Sequence, residues 1–154
     1  MITYVQGDMF ASSAIALVNP VNTVRVMGAG LAKQFAQRYP NMLDGYRDAC
    51  RSGQLTTGRV HVHRAADGHL IFNVPSKKHW RDPSRIEYIA DVMPAIVNAL
   101  VANGVESIAI PPLGCGLGGL QWSQVEPIIV GAFASHDEIF VELYARRSAT
   151  TKQD

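Results

Sequence analysis

Apolar and polar positions along this chain follow two periods, one near two and one near three and a half. Ile2-Thr3-Tyr4-Val5 alternates and is rich in β-formers, which predicts a first strand ending at Gly7-Asp8. Ala14 to Val18 is a short apolar run bounded by Asn19-Pro20, the pattern of a buried strand. After a loop over 21–28, a helix starts near Ala29. It carries Leu31, Phe35 and Tyr39 at spacing four and stops at Pro40. A second helix over Met42–Arg51 puts Leu43, Tyr46 and Cys50 on one side. Arg59–Arg64 sets Val60 and Val62 against His61 and His63, a half-buried strand. The turn Ala66-Asp67-Gly68 leads to another strand over His69–Val74.

Ser76–Ser84 is a polar, basic loop. Arg85–Asn103 is a long helix with Ile86, Ile89, Met93, Ile96, Val97 and Leu100 on one face, and Pro94 inside it predicts a kink or a shorter helix. Ser107–Pro111 is an apolar strand and Leu113–Leu120 a glycine-rich loop. Trp122–Ser135 is a helix with Pro127 near its first turn, and Glu138–Tyr144 the last strand. Residues 146–154 form a polar tail, expected to fray from Ala145 onward. Strands alternate with helices without repeats or linkers, so residues 1–145 read as one layered α/β domain around a largely parallel sheet.

Composition agrees. With 154 residues, 47% hydrophobic and 18% charged, the chain supports a core without disulfides or metals. A net charge of +1 excludes a uniformly basic nucleic-acid binder but not a local basic patch. Two cysteines, Cys50 and Cys115, make no disulfide framework. No leader and no membrane-length apolar run is visible, so a cytoplasmic monomer is the expectation.

Three stretches carry candidate chemistry. In the first, Asn19 to Phe35, a strand ends, a loop follows, and Gly28-Ala29-Gly30 opens a helix. Free N–H groups at a helix start, with small residues around them, admit a phosphate or carbonyl, and Asn19 and Asn22 suit ribose hydroxyls. A tight connection whose glycines only relieve crowding would look the same. The second, Pro111 to Leu120, holds Gly114, Gly116, Gly118 and Gly119, which permit positive φ and leave amides uncovered for an anion. Leu113, Leu117 and Leu120 would anchor it. Cys115 has no evident triad partner and reads as a small residue in a tight loop. If the strands are parallel, both loops and Asp8 share one sheet edge and could embrace a diphosphate. Asp8 there suits an exocyclic amine, or else caps the turn at Ala11-Ser12-Ser13.

The third stretch, Pro75 to Arg85, gathers Lys77, Lys78, His79, Arg81 and Arg85 around Trp80. Cations for phosphates and an aromatic face for a base are the grammar of single-stranded nucleic-acid binding. A solvated loop with Trp80 folded onto the core is the other possibility. A rim lysine, once neutral, is a nucleophile toward an aldehyde-like ribose carbon. His61 and His63 share a strand face, but no further ligands are spaced to complete a metal site, so none is expected. His136-Asp137 reads as a turn, and no carboxylate pair suggests glycosidase acid–base work.

Taken in order, Gly7-Asp8, Asn19-Pro-Val-Asn22, Met27-Gly-Ala-Gly-Leu-Ala32 and Pro112-Leu-Gly-Cys-Gly-Leu-Gly-Gly-Leu120 resemble the macrodomain family, over roughly Met1 to Ala145. The Lys-Lys-His-Trp-Arg loop and the Leu-Gly-Cys-Gly-Leu-Gly-Gly-Leu-x-Trp run are similar to the terminal ADP-ribose glycohydrolase branch, and more so to the DarG-type antitoxin branch. The resemblance implies a three-layer α/β/α fold with a mixed, largely parallel sheet. It implies an ADP-ribosyl glycohydrolase that frees a base, thymidine by expectation, of single-stranded DNA and so reverses a DarT-type toxin, its cognate partner. ADP-ribose would be ligand or product, with no cofactor. Rival implications are an ADP-ribosyl-glutamate or O-acetyl-ADP-ribose hydrolase, or a non-catalytic ADP-ribose-binding module.

By the same resemblance, Asp8 and the backbone at Met9 take the adenine position. Asn22, Met27, Gly28, Ala29 and Gly30 surround the distal ribose. Gly114, Cys115, Gly116, Leu117 and Gly118 hold the diphosphate, and Asn19, Leu31 and Pro112 join them in binding ADP-ribose. Lys77 is catalytic, and Lys78, His79, Trp80 and Arg81 contact nucleic acid. Gly118 stands where the human-type glycohydrolase has an acidic residue, so that enzyme's carboxylate-assisted route is not implied. DarG antitoxins carry a further C-terminal domain, so the resemblance extends to their catalytic domain alone.

Overall fold

The computed structural model describes residues 1–148. In chain order the elements are β1 (Ile2–Tyr4), a 3-10 turn (Met9–Ala11), β2 (Ala16–Val21), α1 (Gly30–Arg38), α2 (Met42–Arg51), β3 (His61–Arg64), β4 (Leu70–Pro75), α3 (Ile86–Ala102), β5 (Ser107–Ile110), α4 (Trp122–Phe133) and β6 (Phe140–Leu143). The six strands form one sheet in the order β1-β6-β5-β2-β4-β3. All neighbours run parallel except the edge pair β3 and β4.

Alternation along the central strands sorts the core into two layers. Val18, Phe72 and Ile110 face α3 and α4, where they pack with Ile89, Ile96, Leu100, Ile129 and Phe133. Leu17, Ile71 and Ala109 face the other way, onto Phe35, Met42 and Tyr46 of α1 and α2. The result is the three-layer α/β/α arrangement with a mixed sheet.

β2 runs three residues beyond the predicted end at Val18, through Asn19 and Pro20. The Ile15 and Val21 carbonyls accept bonds from Leu70 and Ser76 on the β4 side, at 2.8 and 3.0 Å. Pro20, of opposite parity, therefore turns its nitrogen toward β5, where the ladder has already ended at Leu17. A proline costs nothing on that side because no partner waits for its N–H.

The kink or shortening expected at Pro94 is absent: α3 is one helix over 86–102. Pro94 and Ala90, whose carbonyl loses its bond, are both exposed, so water can take the orphaned acceptor. Pro127 lies in the second turn of α4, past the predicted first turn, and the same exposure holds for it and Ser123. The tail begins docked rather than frayed. Trp122 Nε1 donates to the Arg146 carbonyl at 2.7 Å, and the Ser148 amide donates to the buried Glu126 at 3.3 Å. The rest of the predicted tail, 149–154, lies outside the described residues. No helix among the described residues is long and apolar enough to cross a membrane.

Phe72 is fully buried at the centre of the larger core. Phe72→Ala should cost about 3–5 kcal/mol through lost transfer energy and the cavity left behind. Urea denaturation followed by circular dichroism measures this, and a loss under ~1 kcal/mol would contradict the packing described.

Candidate functional site

β2 pairs with β5 only at Ala16 and Leu17, and beyond that point the two strands part. The chain leaving β2 turns to the α1–α2 face, and the chain leaving β5 turns to the α3–α4 face. Such a switch point opens a crevice at the carboxyl ends of parallel strands. A cavity of about 750 Å³ lies there, within the range of roughly 300–1,000 Å³ typical of small-molecule sites. Three segments wall it: 20–32, the start of 76–84, and 111–118.

The first wall is held by Asn22. Its Oδ1 accepts from the amides of Val24 and Val26 at 3.1 and 3.3 Å, and its Nδ2 donates to the Val26 carbonyl at 2.7 Å. The buried Tyr46 hydroxyl donates to the Asn22 carbonyl at 2.8 Å, with Oδ1 at 3.1 Å. Burial pushes the Tyr46 phenol far up, so it remains a donor. Arg25 is held at φ +71, in the left-handed region that a non-glycine residue occupies at a cost. The loop delivers the chain to α1, whose N-cap, Ala29, has no side chain to occupy the first helical amides. Gly28, Ala29, Gly30, Leu31 and Ala32, at this helix start, line the cavity.

The glycine-rich loop forms the opposite wall. The Cys115 amide donates to the Pro112 carbonyl, that of Gly119 to Gly116, and that of Leu120 to Gly114. The amides of Gly116, Leu117 and Gly118 have no partner among the described residues. Of the four glycines that permit positive φ, Gly114 and Gly119 adopt it. Gly118 is required for another reason: a Cβ there would sit 2.1 Å from Ser84 Oγ and 2.5 Å from the Gly114 carbonyl oxygen.

The third wall begins at the buried Ser76 and the half-buried Lys77. Trp80 is 50% exposed at the mouth rather than folded onto the core. The Arg81 guanidinium lies 4.7 Å from its ring centre and the His79 ring 5.1 Å. Exposed Val26 and Leu117 complete an apolar mouth. The Thr23 amide and hydroxyl both donate to the Lys78 carbonyl, at 2.8 and 2.9 Å, tying this loop to the first wall. Among the described lining residues, Lys77 is the one titratable side chain.

Of the residues anticipated from sequence, the structure brings Asn22, Gly28, Ala29, Gly30, Leu31, Lys77, Trp80, Pro112, Gly114, Gly116, Leu117 and Gly118 into one cavity. Others lie outside its wall. Asp8 is exposed and caps the 3-10 turn, accepting from the Phe10 amide at 2.9 Å, and Met9 is buried in the α1–α2 core. Cys115 Sγ donates to the Leu113 carbonyl at 3.5 Å, and burial pushes its thiol up, the reverse of an activated nucleophile. Lys78, His79 and Arg81 stand beyond the mouth. Sequence reasoning missed Pro20, Val21, Val26, Ala32, Ser76 and Pro111 in the lining. Pro20 and Val21 were hidden by ending β2 too early.

Asn19 and Met27 are buried behind the first wall. Asn19 Nδ2 donates to Asn73 Oδ1 at 2.9 Å and approaches Met27 Sδ at 3.7 Å. Asn73 Nδ2 in turn lies 3.0 Å from His61 Nδ1. This polar row crosses β2, β4 and β3, and assigns His61 to structure. Among the described residues no group of three or more His, Cys, Asp or Glu could hold a metal.

A sequence profile of the Macro domain matches residues 18–129. The chain is 43% identical to the DNA ADP-ribosyl glycohydrolase of Mycobacterium tuberculosis over 148 residues, 94% of this chain and 42% of that protein. It thus spans about two fifths of the length of the curated relatives it matches first. The macrodomain of Mycobacterium tuberculosis DarG superposes with a TM-score of 0.90 at 41% identity, covering 96% of this chain and 99% of that one. Thermosipho africanus DarTG in complex with ADP-ribose gives a TM-score of 0.85 at 32% identity, over 97% of this chain and 43% of that one.

Two predictions follow from the packing. Gly118→Ala should lower stability by about 1–3 kcal/mol, since backbone must shift to admit the methyl, whereas Gly116→Ala, in open space at negative φ, should be neutral. Thermal denaturation separates the two, and equal midpoints would refute the contact with Ser84. Burial, with His63 nearby, holds the His61 imidazole below its ordinary 6.5. The unfolded chain then takes a proton that the folded chain resists, so stability is full above pH 6.5 and falls as pH drops through that value. The melting temperature should decline from pH 7 to 5, less steeply in His61→Gln. Identical slopes would remove His61 from the effect.

Proposed function

The chain belongs to the macrodomain family, and on that premise we propose that it is an ADP-ribosyl glycohydrolase acting on ADP-ribosylated single-stranded DNA, reversing the modification made by a DarT-type toxin. The observation that carries the reading is the single titratable side chain in the cavity wall, Lys77, between amide-rich loops and an exposed Trp80. The substrate class is supported by the relatives named DNA ADP-ribosyl glycohydrolase and by the DarTG neighbour whose complex holds ADP-ribose.

In this reading the unpartnered amides of Gly116, Leu117 and Gly118 receive the diphosphate on one side, and the uncapped start of α1 receives it on the other. Neutral amide donors suit an anion that must later leave, because they bind it without a fixed countercharge. The distal ribose lies toward Asn22 and Lys77. Lys77 Nζ attacks C1″ with its lone pair, the C1″–N bond to the base breaks, and the base leaves with the electron pair and takes up the proton that the amine gives up. Water then displaces the lysine from C1″, releasing ADP-ribose and restoring the amine. Outside the mouth, one face of a neighbouring base stacks on Trp80, and His79, Arg81 and Lys78 meet phosphates. Gly118 offers no carboxylate, so Lys77 works without the acid partner of the human-type enzyme.

The test incubates the protein with an oligonucleotide bearing ADP-ribose on thymidine, beside a glutamate-linked ADP-ribosyl peptide, and follows released ADP-ribose by mass spectrometry. Lys77→Ala should lose release by at least about 10³-fold while calorimetry still detects ADP-ribose binding. Full activity in that variant would refute the catalytic assignment. Preferential turnover of the peptide would transfer the reading to protein-linked esters, and binding without turnover would make the domain a reader of ADP-ribose.

A further inference from the structure

Ser84 has no place in the chemistry above, yet it stands where two cavity walls meet. It ends the segment that begins with Ser76 and Lys77, and its amide donates to the Gly118 carbonyl at 2.9 Å. Its side chain is wedged beneath the glycine-rich loop. A Cβ on Gly114 would lie 3.1 Å from Ser84 Cβ, and one on Gly118 would lie 2.8 Å from the same atom. Ser84 is 5% exposed, and its Oγ is buried without a hydrogen-bond partner among the described residues.

A buried hydroxyl that makes no bond is uncommon in a folded interior, because desolvating it costs free energy that only a partner returns. An acceptor is close by. Ser84 Oγ and the Gly114 carbonyl oxygen both lie within 2.5 Å of one point, the position of a Cβ on Gly118. The Gly114 carbonyl already accepts from the Leu120 amide at 2.8 Å and keeps a second lone pair. A shift of the 114–118 segment toward Ser84 would join donor and acceptor. That segment also carries the unpartnered amides that face the cavity.

We propose that Ser84 is a positioning residue for the glycine-rich loop: its hydroxyl bonds the Gly114 carbonyl when the Gly116–Gly118 amides turn onto a diphosphate. The inference rests on the reading of the cavity as an ADP-ribose site. Satisfying the hydroxyl and the amides together puts part of the affinity for the diphosphate at a side chain that does not touch it.

This predicts opposite signs in two measurements on Ser84→Ala. Removing an unpaired hydroxyl should leave the melting temperature of the free protein unchanged or raised. The dissociation constant for ADP-ribose, by calorimetry, should weaken by about five- to tenfold, the worth of one hydrogen bond. On the ADP-ribosylated oligonucleotide the loss should fall on KM, with kcat within about twofold. An unchanged dissociation constant overturns the proposal, as does a melting temperature that falls along with affinity, which would make Ser84 ordinary packing. Wild-type protein that binds no ADP-ribose overturns both the site assignment and this inference.

Discussion

The parting of β2 from β5 after Leu17 is the constraint on which the rest depends. Up to that point the two strands share a ladder and a core. Beyond it their chains diverge to opposite faces of the sheet, and the space between cannot be filled by either. Pro20, Pro111 and Pro112 stand along the gap, where a missing N–H leaves no donor stranded. The cavity is therefore a consequence of topology rather than of any side chain. The segments that follow the strands are brought to it because parallel strands end at one edge.

The two walls are built on different principles. The first is tied down by directed bonds: the Asn22 side chain is spent almost wholly on its own loop, with the buried Tyr46 beneath it. The second is shaped by crowding. Ser84 and the Gly114 carbonyl occupy the volume that a side chain at Gly118 would need, so the loop lies close against the segment that ends at Ser84. A residue with a Cβ would lift the loop away.

Charge is arranged in the same economical way. Among the described residues the lining holds one cationic group, Lys77, and otherwise small, apolar and neutral polar residues. His79 and Arg81 of that loop gather around the half-exposed Trp80, and Lys78 reaches over the Tyr88 ring. A net charge of +1 over the whole chain hides this local pattern. The interior suits a ligand that is held by oriented dipoles, and the exterior suits a longer polyanion with unpaired bases.

Much of this was legible in the sequence. Period-two and helical patterns placed six strands and four helices in order, and the order of strand, Gly-x-Gly turn and glycine-rich loop located the chemistry. Local pattern determines such features because burial on one face acts residue by residue. What the tertiary structure alone decided were matters of distance between segments. The strand through Asn19 and Pro20 formed because β4 supplied partners on one side and β5 withdrew on the other. Asn19 was turned into the core by the parity of β2, and Met27 was buried by the loop that follows it. Trp80 was left at the mouth although its apolar ring could equally have been buried. Ser84, unremarkable at the end of a polar loop, acquired its position only when that loop was folded against Gly118. No periodicity records such an approach, since it depends on how two loops from different strands share one volume.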